Sequence, residues 1–355
     1  MDYHCVDQSA DESVGRASWK WWLLISKIDK LKMRPCLFGC ILTMAVIVSH
    51  SNNGWAFDPS ELVIGTDDLY GFTSGSDIGD AGARAIGVGS TWALGKSAGH
   101  YRAGATNFDY RYNISDDLQI GLAARVDSYS IHNVPDLTNQ NFTSFGGVTP
   151  SLRYRIIERS MSPGHPTKGG SPIGLTLSVE PTIGLFDTSS GERARRTGVE
   201  ARLALDGALV PSHLFGAVNL SYEAERVRPL GLVAIDAAGK VVNATDPDVV
   251  GMMRAPAKNE SGLGLSAAIT YQPIENYFIG AEARYRRAYE GLGLQSLAGQ
   301  ALFIGPTFFV NFGREKTLAI AWSSQVAGKA EGSPGGLDLE NFSRHEAKIA
   351  LRVGF

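Results

Sequence analysis

Hydrophobic and polar residues alternate along much of the chain after about residue 85. The segment FDYRYNI, residues 108–114, places four apolar or aromatic side chains on one face and Asp109, Arg111 and Asn113 on the other. The last residues of the chain, AKIALRVGF (347–355), repeat the pattern. Because successive side chains of a β-strand point to opposite faces, this alternation predicts strands with one apolar and one polar face.

Segments of this kind recur along the chain, and no amphipathic helical stretch of comparable length competes with them. Each is at least as long as the roughly 9–11 residues that a tilted transmembrane strand needs, whereas strands of soluble proteins are mostly nearer about 5–6 residues. We therefore predict an all-β fold: a single antiparallel transmembrane β-barrel of about twelve strands within residues 86–355. The predicted strands are 86–96, 100–114, 118–131, 145–156, 173–186, 198–209, 214–225, 261–272, 277–289, 301–312, 317–327 and 342–355.

The connections between the predicted strands alternate in length, as they do in outer-membrane barrels with short periplasmic turns and longer outer loops. If the C-terminus is periplasmic, the short connections fall on the periplasmic side and most long ones fall outside. Two connections fit less well, because the outer turn 97–99 is short and the periplasmic segment 157–172 is long. Pro150, Pro181 and Pro306 also fall inside predicted strands. They predict either bulges or misplaced boundaries, since proline cannot donate to a strand ladder.

The final LRVGF resembles the C-terminal assembly signal of Gram-negative outer-membrane barrels, which alternates apolar residues and ends in phenylalanine. The resemblance implies that the barrel assembly machinery reads Leu351, Val353 and Phe355. A sheet exposed to lipid must also close on itself, because unpaired backbone groups in hydrocarbon are costly. We therefore expect the last strand to pair with the first.

A wider resemblance covers most of the chain after residue 67. The segments DLYGFTSGSDIGDAG (68–82), GAEARYRRAYEGLGL (280–294) and AGQALFIGPTFF (298–309) resemble a family of uncharacterised barrel-like proteins from alphaproteobacteria. This resemblance implies the barrel fold and a location in the cell outer membrane. It implies no activity.

Composition narrows the classes of function. The 33 basic and 36 acidic residues give a net charge of −3, which offers no case for nucleic acid as a partner, because nucleic acid selects a basic surface. The three cysteines, Cys5, Cys36 and Cys40, all lie near the N-terminus. The remainder of the chain therefore has no disulfide framework, no cysteine metal site and no cysteine nucleophile.

The N-terminus has the order of a secretory signal. Basic residues precede the apolar run PCLFGCILTMAVIVS (35–49), and the small-residue site at 54–56 follows it. Met33 stands where such a signal normally begins, so we predict that residues 1–56 are an over-extended start plus a cleaved signal peptide. A lipoprotein signal at LFGC (37–40) is less favoured, because that cysteine precedes most of the apolar run.

Residues 57–85 are predominantly acidic and are predicted to form a periplasmic lead-in to the barrel. A solvated segment, which could also fold into the lumen, is the favoured interpretation. A calcium site would need clustered carboxylates at a suitable spacing, and the spacing here matches no such loop. No metal or other cofactor is predicted. The acidic residues of this segment are Asp58, Glu61, Asp67, Asp68, Asp77 and Asp80.

The sequence offers little evidence for an enzyme, and we predict no catalytic residues. Ser130 and His132 lack the surrounding pattern of a barrel lipase, and a solvated loop histidine is the simpler interpretation. The segment GSDIG (75–79) does not have the G-x-S-x-G order of a nucleophile elbow.

Ionised side chains occupy the alternate positions that should face the barrel interior. Two predicted strands, 261–272 and 317–327, instead point small residues inward, and nothing obvious in the sequence fills the space beside them. The outer loop 226–260 is the expected gate or plug, and its residues 232–244 read as a small hairpin. The candidate lumen-lining residues are Asp109, Arg111, Arg125, Asp127, Arg153, Glu180, Glu200, Arg202, Glu223, Glu225, Glu282, Arg284, Arg286, Lys348 and Arg352.

Two functions fit this interior. The first is a narrow pore for passive transport of small hydrophilic solutes. The second is a non-conducting structural or surface-interaction barrel whose lumen is closed by salt bridges, since buried charges are found paired. In both cases the expected partners are outer-membrane lipid and the barrel assembly machinery, with a small solute as a further partner of the pore.

Overall fold

The computed structural model describes residues 66–159, 171–210, 213–238, 241–242, 249–313 and 315–355. The predicted signal segment, residues 1–56, and the start of the acidic lead-in lie outside the described residues. Long strands dominate the fold, and three short ones interrupt their succession. The strands are β1 (Arg84–Leu94), β2 (His100–Ser115), β3 (Leu118–His132), β4 (Gln140–Ile157), β5 (Ile173–Phe186), β6 (Arg193–Val210), β7 (Leu214–Pro229), β8 (Leu232–Ile235), β9 (Val241–Val242), β10 (Gly251–Arg254), β11 (Lys258–Ile274), β12 (Tyr277–Glu290), β13 (Ser296–Asn311), β14 (Lys316–Ala330) and β15 (His345–Gly354).

The twelve long strands close into one antiparallel barrel, in which β7 pairs with β11 and β1 pairs with β15 as well as β2. Ala85 lies opposite Gly354 at the closure. Arg84 and Phe355 extend the pairing of β1 with β15 by one residue pair. Each donates its backbone N–H to the carbonyl oxygen of the other, at 3.2 and 2.8 Å. The predicted all-β barrel is therefore confirmed. No helix long and apolar enough to cross a bilayer occurs in the ranges given above.

The two ends of the barrel differ in their connections. At the turn end, where β1 begins and β15 ends, tight turns such as 116–117 and 275–276 join neighbouring strands. At the opposite loop end, residues 133–139, 187–192 and 331–344 form longer connections. This is the alternation of lengths that the sequence predicted.

Apolar side chains cover the outside of the barrel, and charged side chains lie inside it. Leu122, Ile183 and Leu220 are 55, 57 and 55% exposed, whereas Asp127 and Glu282 are 1 and 2% exposed. A soluble protein shows the reverse arrangement. An exposed apolar belt on a closed sheet matches the surface that faces lipid, so the fold is that of a transmembrane barrel.

Several strands extend further towards the loop end than the alternation predicted. β4 begins at Gln140 rather than at 145, β6 at Arg193 rather than at 198, and β7 ends at Pro229 rather than at 225. At these ends the outward positions carry polar or charged residues, so the apolar alternation stops while backbone pairing continues. The predicted boundaries thus marked the edge of the apolar belt rather than the end of the sheet.

The three prolines lie within strands, where the ladders are interrupted. Pro150 of β4 faces Pro181 of β5 in a gap of the β4–β5 ladder, and the register is the same on both sides of that gap. The two prolines therefore share one site without hydrogen bonds, and no residue is bulged there. Pro306 pairs with β12 and lies in a gap of the β13–β14 ladder. The barrel accommodates these prolines because the N–H groups that they lack fall in gaps of the ladders, where no hydrogen bond is made.

The loop between β7 and β11 folds on itself. β8 pairs with both β9 and β10, so the predicted small hairpin is part of a three-stranded sheet. Leu232, Val250 and Met252 are 60–66% exposed. The described part of the 226–260 loop therefore exposes these apolar side chains and does not bury them in the lumen as a plug would, whereas its role as a gate stays a prediction.

Candidate functional site

Residues 66–78, part of the predicted acidic lead-in, lie inside the barrel, and we call them the plug. Leu69 and Tyr70 are 1 and 0% exposed. Thr66 donates its backbone N–H to the Asp77 carboxylate at 2.9 Å, which ties the two ends of the plug together. The segment is thus a compact buried loop rather than a solvated one.

One side of the plug packs against an apolar part of the lumen wall near the turn end. Leu69 and Tyr70 belong to a buried cluster there, and the Tyr70 hydroxyl donates to the carbonyl oxygen of Gly216 at 3.3 Å. Three phenylalanines of this wall stack edge to face or tilted on one another. This contact anchors the plug by burial of apolar surface. The wall residues are Phe215 and Ala217 of β7, Ala268 of β11, Phe278 of β12, Phe309 of β13 and Ala319 of β14.

The small residues on β11 and β14 make room for the plug. Gly71 has a φ of +79°, and a Cβ at this position would lie 2.8 Å from the Cβ of Ala321. Both the backbone conformation and the close approach require glycine here. The space beside Ala268, Ala319 and Ala321 is therefore filled, which weakens one argument for an open pore.

The other side of the plug meets three arginines. Asp67 pairs with Arg153 at 2.6 Å, with Arg352 at 2.8 Å and also with Arg111. Asp68 forms a further ion pair with Arg352. The three arginines come from β4, β15 and β2, so this arrangement, which we call the arginine triad (Arg111, Arg153 and Arg352), exists only in the closed barrel.

Further polar contacts hold the middle and the end of the plug. The backbone N–H groups of Phe72 and Thr73 donate to Glu282 at 3.0 and 3.1 Å. Arg202 donates to the Ser74 hydroxyl at 2.8 Å, and Asp77 pairs with Arg159 at 2.6 Å. Lys348 donates to the carbonyl oxygen of Gly71.

All fifteen candidate lumen residues lie on the inner face of the wall, but only some of them reach the plug. Glu346 of β15 joins Arg284 and Arg286 of β12 at 2.7 and 3.1 Å. Arg284 also lies 3.7 Å from Glu282. These four residues form a chain of charges that leads from the plug towards the loop end.

A second group of charges lies on the opposite wall. Arg125 pairs with Asp127 at 2.5 Å, and Arg196 pairs with Glu225 and lies 3.9 Å from Glu223. Arg196 is not among the predicted lumen residues, because its strand was predicted to begin at residue 198, two residues later. Extending the alternation by one more pair of residues identifies it.

Water-accessible space remains between the plug and the wall formed by β1–β7 and β15. Two adjoining cavities of about 300 and 320 Å³ share Asp109, Arg111, Arg153 and Glu180 as lining residues. Their linings are largely ionised or hydroxylated. We call this space the charged chamber. It is the part of the lumen in which a small polar solute could be accommodated.

The loop end of the lumen is narrowed by aromatic residues and by folded-in loops. Tyr101 and Tyr129 donate their hydroxyls to the carbonyl oxygens of Ser189 and Asp187, at 3.0 and 3.2 Å. On the other side, Phe342 of the 331–344 loop packs against Phe303. The charged chamber therefore lies between the plug and this narrowed entrance.

The residues considered for catalysis do not form a catalytic arrangement. His132 lies at the loop end of β3 and stacks on His100, with ring centroids 6.1 Å apart. Ser76 of the GSDIG segment donates to the buried Asp206, which fixes the plug to β6. Among the described residues, no three potential metal-binding side chains gather into a site.

The chain is similar at low identity to several solved β-barrels. The NanC porin matches with 10% identity and a TM-score of 0.40, over 75% of this chain and 98% of its own. The β domain of the Bordetella autotransporter BrkA matches with 11% identity and a TM-score of 0.45, over 78 and 100%. A loop-deletion mutant of OmpT, an outer membrane protein of Vibrio cholerae, matches with 9% identity and a TM-score of 0.31, over 78 and 100%.

These similarities are too distant to bear on function. No curated protein sequence matches the chain. The family comparison is more direct, since one family model covers residues 62–355, from the plug to the C-terminal strand. The chain belongs to DUF6662, a family of unknown function.

Proposed function

We propose that the protein is an outer-membrane channel for the passive passage of small hydrophilic solutes, and that the plug is its gate. The charged chamber beside the plug carries this proposal. It offers ionised and hydroxyl groups to a polar solute. The predicted signal peptide and C-terminal assembly signal support export to the outer membrane.

The unequal attachment of the plug supports a gate. On one side Leu69 and Tyr70 bury apolar surface, which remains stable in contact with protein. On the other side Asp67 is held by ion pairs that border the charged chamber, where an anionic solute can compete with the Asp67 carboxylate for the same guanidinium groups. The plug can therefore pivot away from the arginine triad while its apolar side stays anchored.

A non-conducting barrel is the second candidate. The burial of Leu69 and Tyr70 and the extensive pairing of lumen charges favour it, because together they fill the lumen as a protein core does. The two candidates differ in whether the plug moves. An experiment that locks and releases the plug therefore separates them.

A disulfide between the plug and the wall provides this lock. A Cβ on Gly174 of β5 would lie 3.1 Å from the Cβ of Ser76, close to the separation of about 3.5–4.5 Å in disulfides. The chain has no native cysteine after Cys40. We expect the Ser76→Cys/Gly174→Cys protein, refolded into planar bilayers, to be silent when oxidised and to conduct after reduction.

The two single-cysteine variants are the matched controls, and they should conduct with or without reductant. Conductance of the unaltered protein that matches the reduced double variant would support a moving plug. If the unaltered, reduced and single-cysteine proteins all stay silent while folded, the channel proposal fails and the structural barrel replaces it.

A further inference from the structure

An unusual group of arginines lies on the outside of the barrel at the loop end. Arg193 and Arg195 occupy outward positions of β6, and Arg226 and Arg228 occupy outward positions of β7. The residues between them point inward and are buried, including Ala194 and Val227 at 1% exposure each. We call these four arginines the rim patch. All four are exposed on the lipid-facing side of the sheet.

The pairing of β6 with β7 brings like charges together. Arg195 lies directly opposite Arg228, and Arg226 lies opposite Thr197 in the same register. Directly opposed side chains have Cβ atoms about 4.5–5.5 Å apart, and like charges at this distance destabilise a sheet. None of the four guanidinium groups forms an ion pair with a carboxylate in the part of the chain that the structure describes. The inward neighbour Arg196, by contrast, is paired with Glu225.

The height of the rim patch on the barrel indicates what neutralises it. The outward residues below it are apolar, with Val199, Leu203 and Leu220 at 38, 38 and 55% exposure. Thr197 and Arg226 come one outward position above Val199 and Ala224, a step of about 7 Å along a strand. The arginines therefore begin where the apolar belt ends, which is the level of lipid headgroups.

We infer that the rim patch binds the phosphate groups of phosphorylated lipids in the membrane leaflet at the loop end. Guanidinium groups bind phosphate oxygens in a bidentate manner, and several arginines at headgroup level add to the attraction of an anionic lipid. A lipid with two phosphates can bridge Arg195 and Arg228 and relieve their repulsion. The inference rests on the outer-membrane location proposed above and on a periplasmic C-terminus, but not on conduction.

Lipid retention by the refolded, detergent-solubilised full chain tests this. Native mass spectrometry counts the lipid A molecules that remain bound, using lipid A with two phosphates and the same lipid after enzymatic dephosphorylation. We expect the unaltered protein to retain the phosphorylated form, and Arg195→Gln/Arg228→Gln to weaken retention by about 25-fold, given roughly fivefold for each arginine. Dephosphorylated lipid A should bind both proteins equally weakly.

Arg84→Gln is the matched control. Arg84 is also exposed, but it lies at the turn end, above the ring of Tyr112, so its removal should leave retention unchanged. Heat-modifiable migration on gels confirms that each variant is folded. The inference is overturned if the double variant retains phosphorylated lipid A as well as the unaltered protein does. It is also overturned if inorganic phosphate at the same phosphate concentration displaces the lipid, because the patch is then a simple anion site.

Discussion

Asp67 of the plug and Arg153 of β4 lie 2.6 Å apart, although 86 positions of sequence separate them. This ion pair is one of three that Asp67 makes with the arginine triad. It joins a segment that precedes the barrel to a strand in the middle of its wall. This contact is one of several that hold the plug inside the barrel.

Asp67→Asn should release the plug from the triad. Removing one partner of a buried ion pair costs about 3–5 kcal/mol, and three arginines would lose their shared carboxylate here. We expect more frequent or longer openings in single-channel recordings, with the barrel still folded. Asp80→Asn makes the same charge change at an exposed position after the plug and should behave like the unaltered protein. Equal open times in the two variants would contradict the gate.

Ala321→Leu should expel the plug by steric exclusion. A Cβ placed on Gly71 is already only 2.8 Å from the Cβ of Ala321, so no space exists for three more carbon atoms. Overpacking typically costs about 1–3 kcal/mol, and displacing the plug relieves it. We expect increased conductance and faster proteolytic cleavage within residues 66–78. Ala283→Leu adds the same atoms on the outward face of β12 and should change neither measurement.

Leu203→Arg and Arg202→Ser test the register of β6. Leu203 is 38% exposed on the lipid side, and an arginine near the bilayer midplane costs about 2–4 kcal/mol. Arg202 faces the lumen and pairs with Glu200 at 2.5 Å. Urea unfolding in vesicles should show a loss of stability for Leu203→Arg and a smaller one for Arg202→Ser. If the channel proposal holds, Arg202→Ser also moves the reversal potential towards cation preference.

Phe355 should matter more for assembly than for stability. Its backbone closes the barrel against Arg84, whereas its side chain is 64% exposed. Phe355→Asp keeps the backbone contact, so we expect nearly normal refolding in vitro and poor outer-membrane assembly in cells. Deletion of Phe355 removes the backbone contact as well as the side chain, so it should impair refolding in vitro as well as assembly in cells. Normal assembly of Phe355→Asp, measured by fractionation and heat-modifiable migration, would show that the side chain is not part of the signal.

Lys96, in the turn between β1 and β2, should titrate near neutral pH. Burial lowers the pKa of Lys96 to about 8 from its ordinary 10.5, although Asp338 and Glu340 act in the opposite direction. The folded state therefore binds fewer protons than the unfolded state between these two pH values. As a result, this group's contribution to the free energy of unfolding rises with pH across that interval.

The titration of Lys96 can be followed by pulsed acylation and mass spectrometry between pH 7 and pH 10. The rate of acylation at Lys96 should level off above a pH of about 8, because the amine is then mostly uncharged. The dependence of the acylation rate on pH is the test, and the absolute rate is not, because partial burial of Lys96 slows the reaction at every pH. A rate at Lys96 that keeps rising to pH 10 contradicts the lowered pKa.

The sequence alone determined the fold of this protein, because the signal for a transmembrane strand is local. Because lipid lies on one face of each strand and a polar lumen on the other, apolar and polar residues alternate with a period of two. The neighbours Leu203 and Arg202 show this alternation. The same period placed all fifteen candidate charges on the inner face. The predicted boundaries failed where strands continue past the lipid, as at Arg193, because the residues there are polar on both faces. They also ran past the observed end of β1 at Leu94 and the observed start of β15 at His345.

Only the tertiary structure decided what occupies the lumen. The period of two says which face a side chain is on, but the partners of that side chain depend on the closure of the barrel and on the register of its strands. Asp67 meets Arg111, Arg153 and Arg352 because β2, β4 and β15 converge around the plug in space. The inward alanines and glycines of β11 and β14 likewise read as empty space in the sequence. Ala268 of β11 and Ala319 and Ala321 of β14 are in fact part of the surface that receives Leu69, Tyr70 and Gly71. No local pattern encodes a contact between segments about 200 or more residues apart.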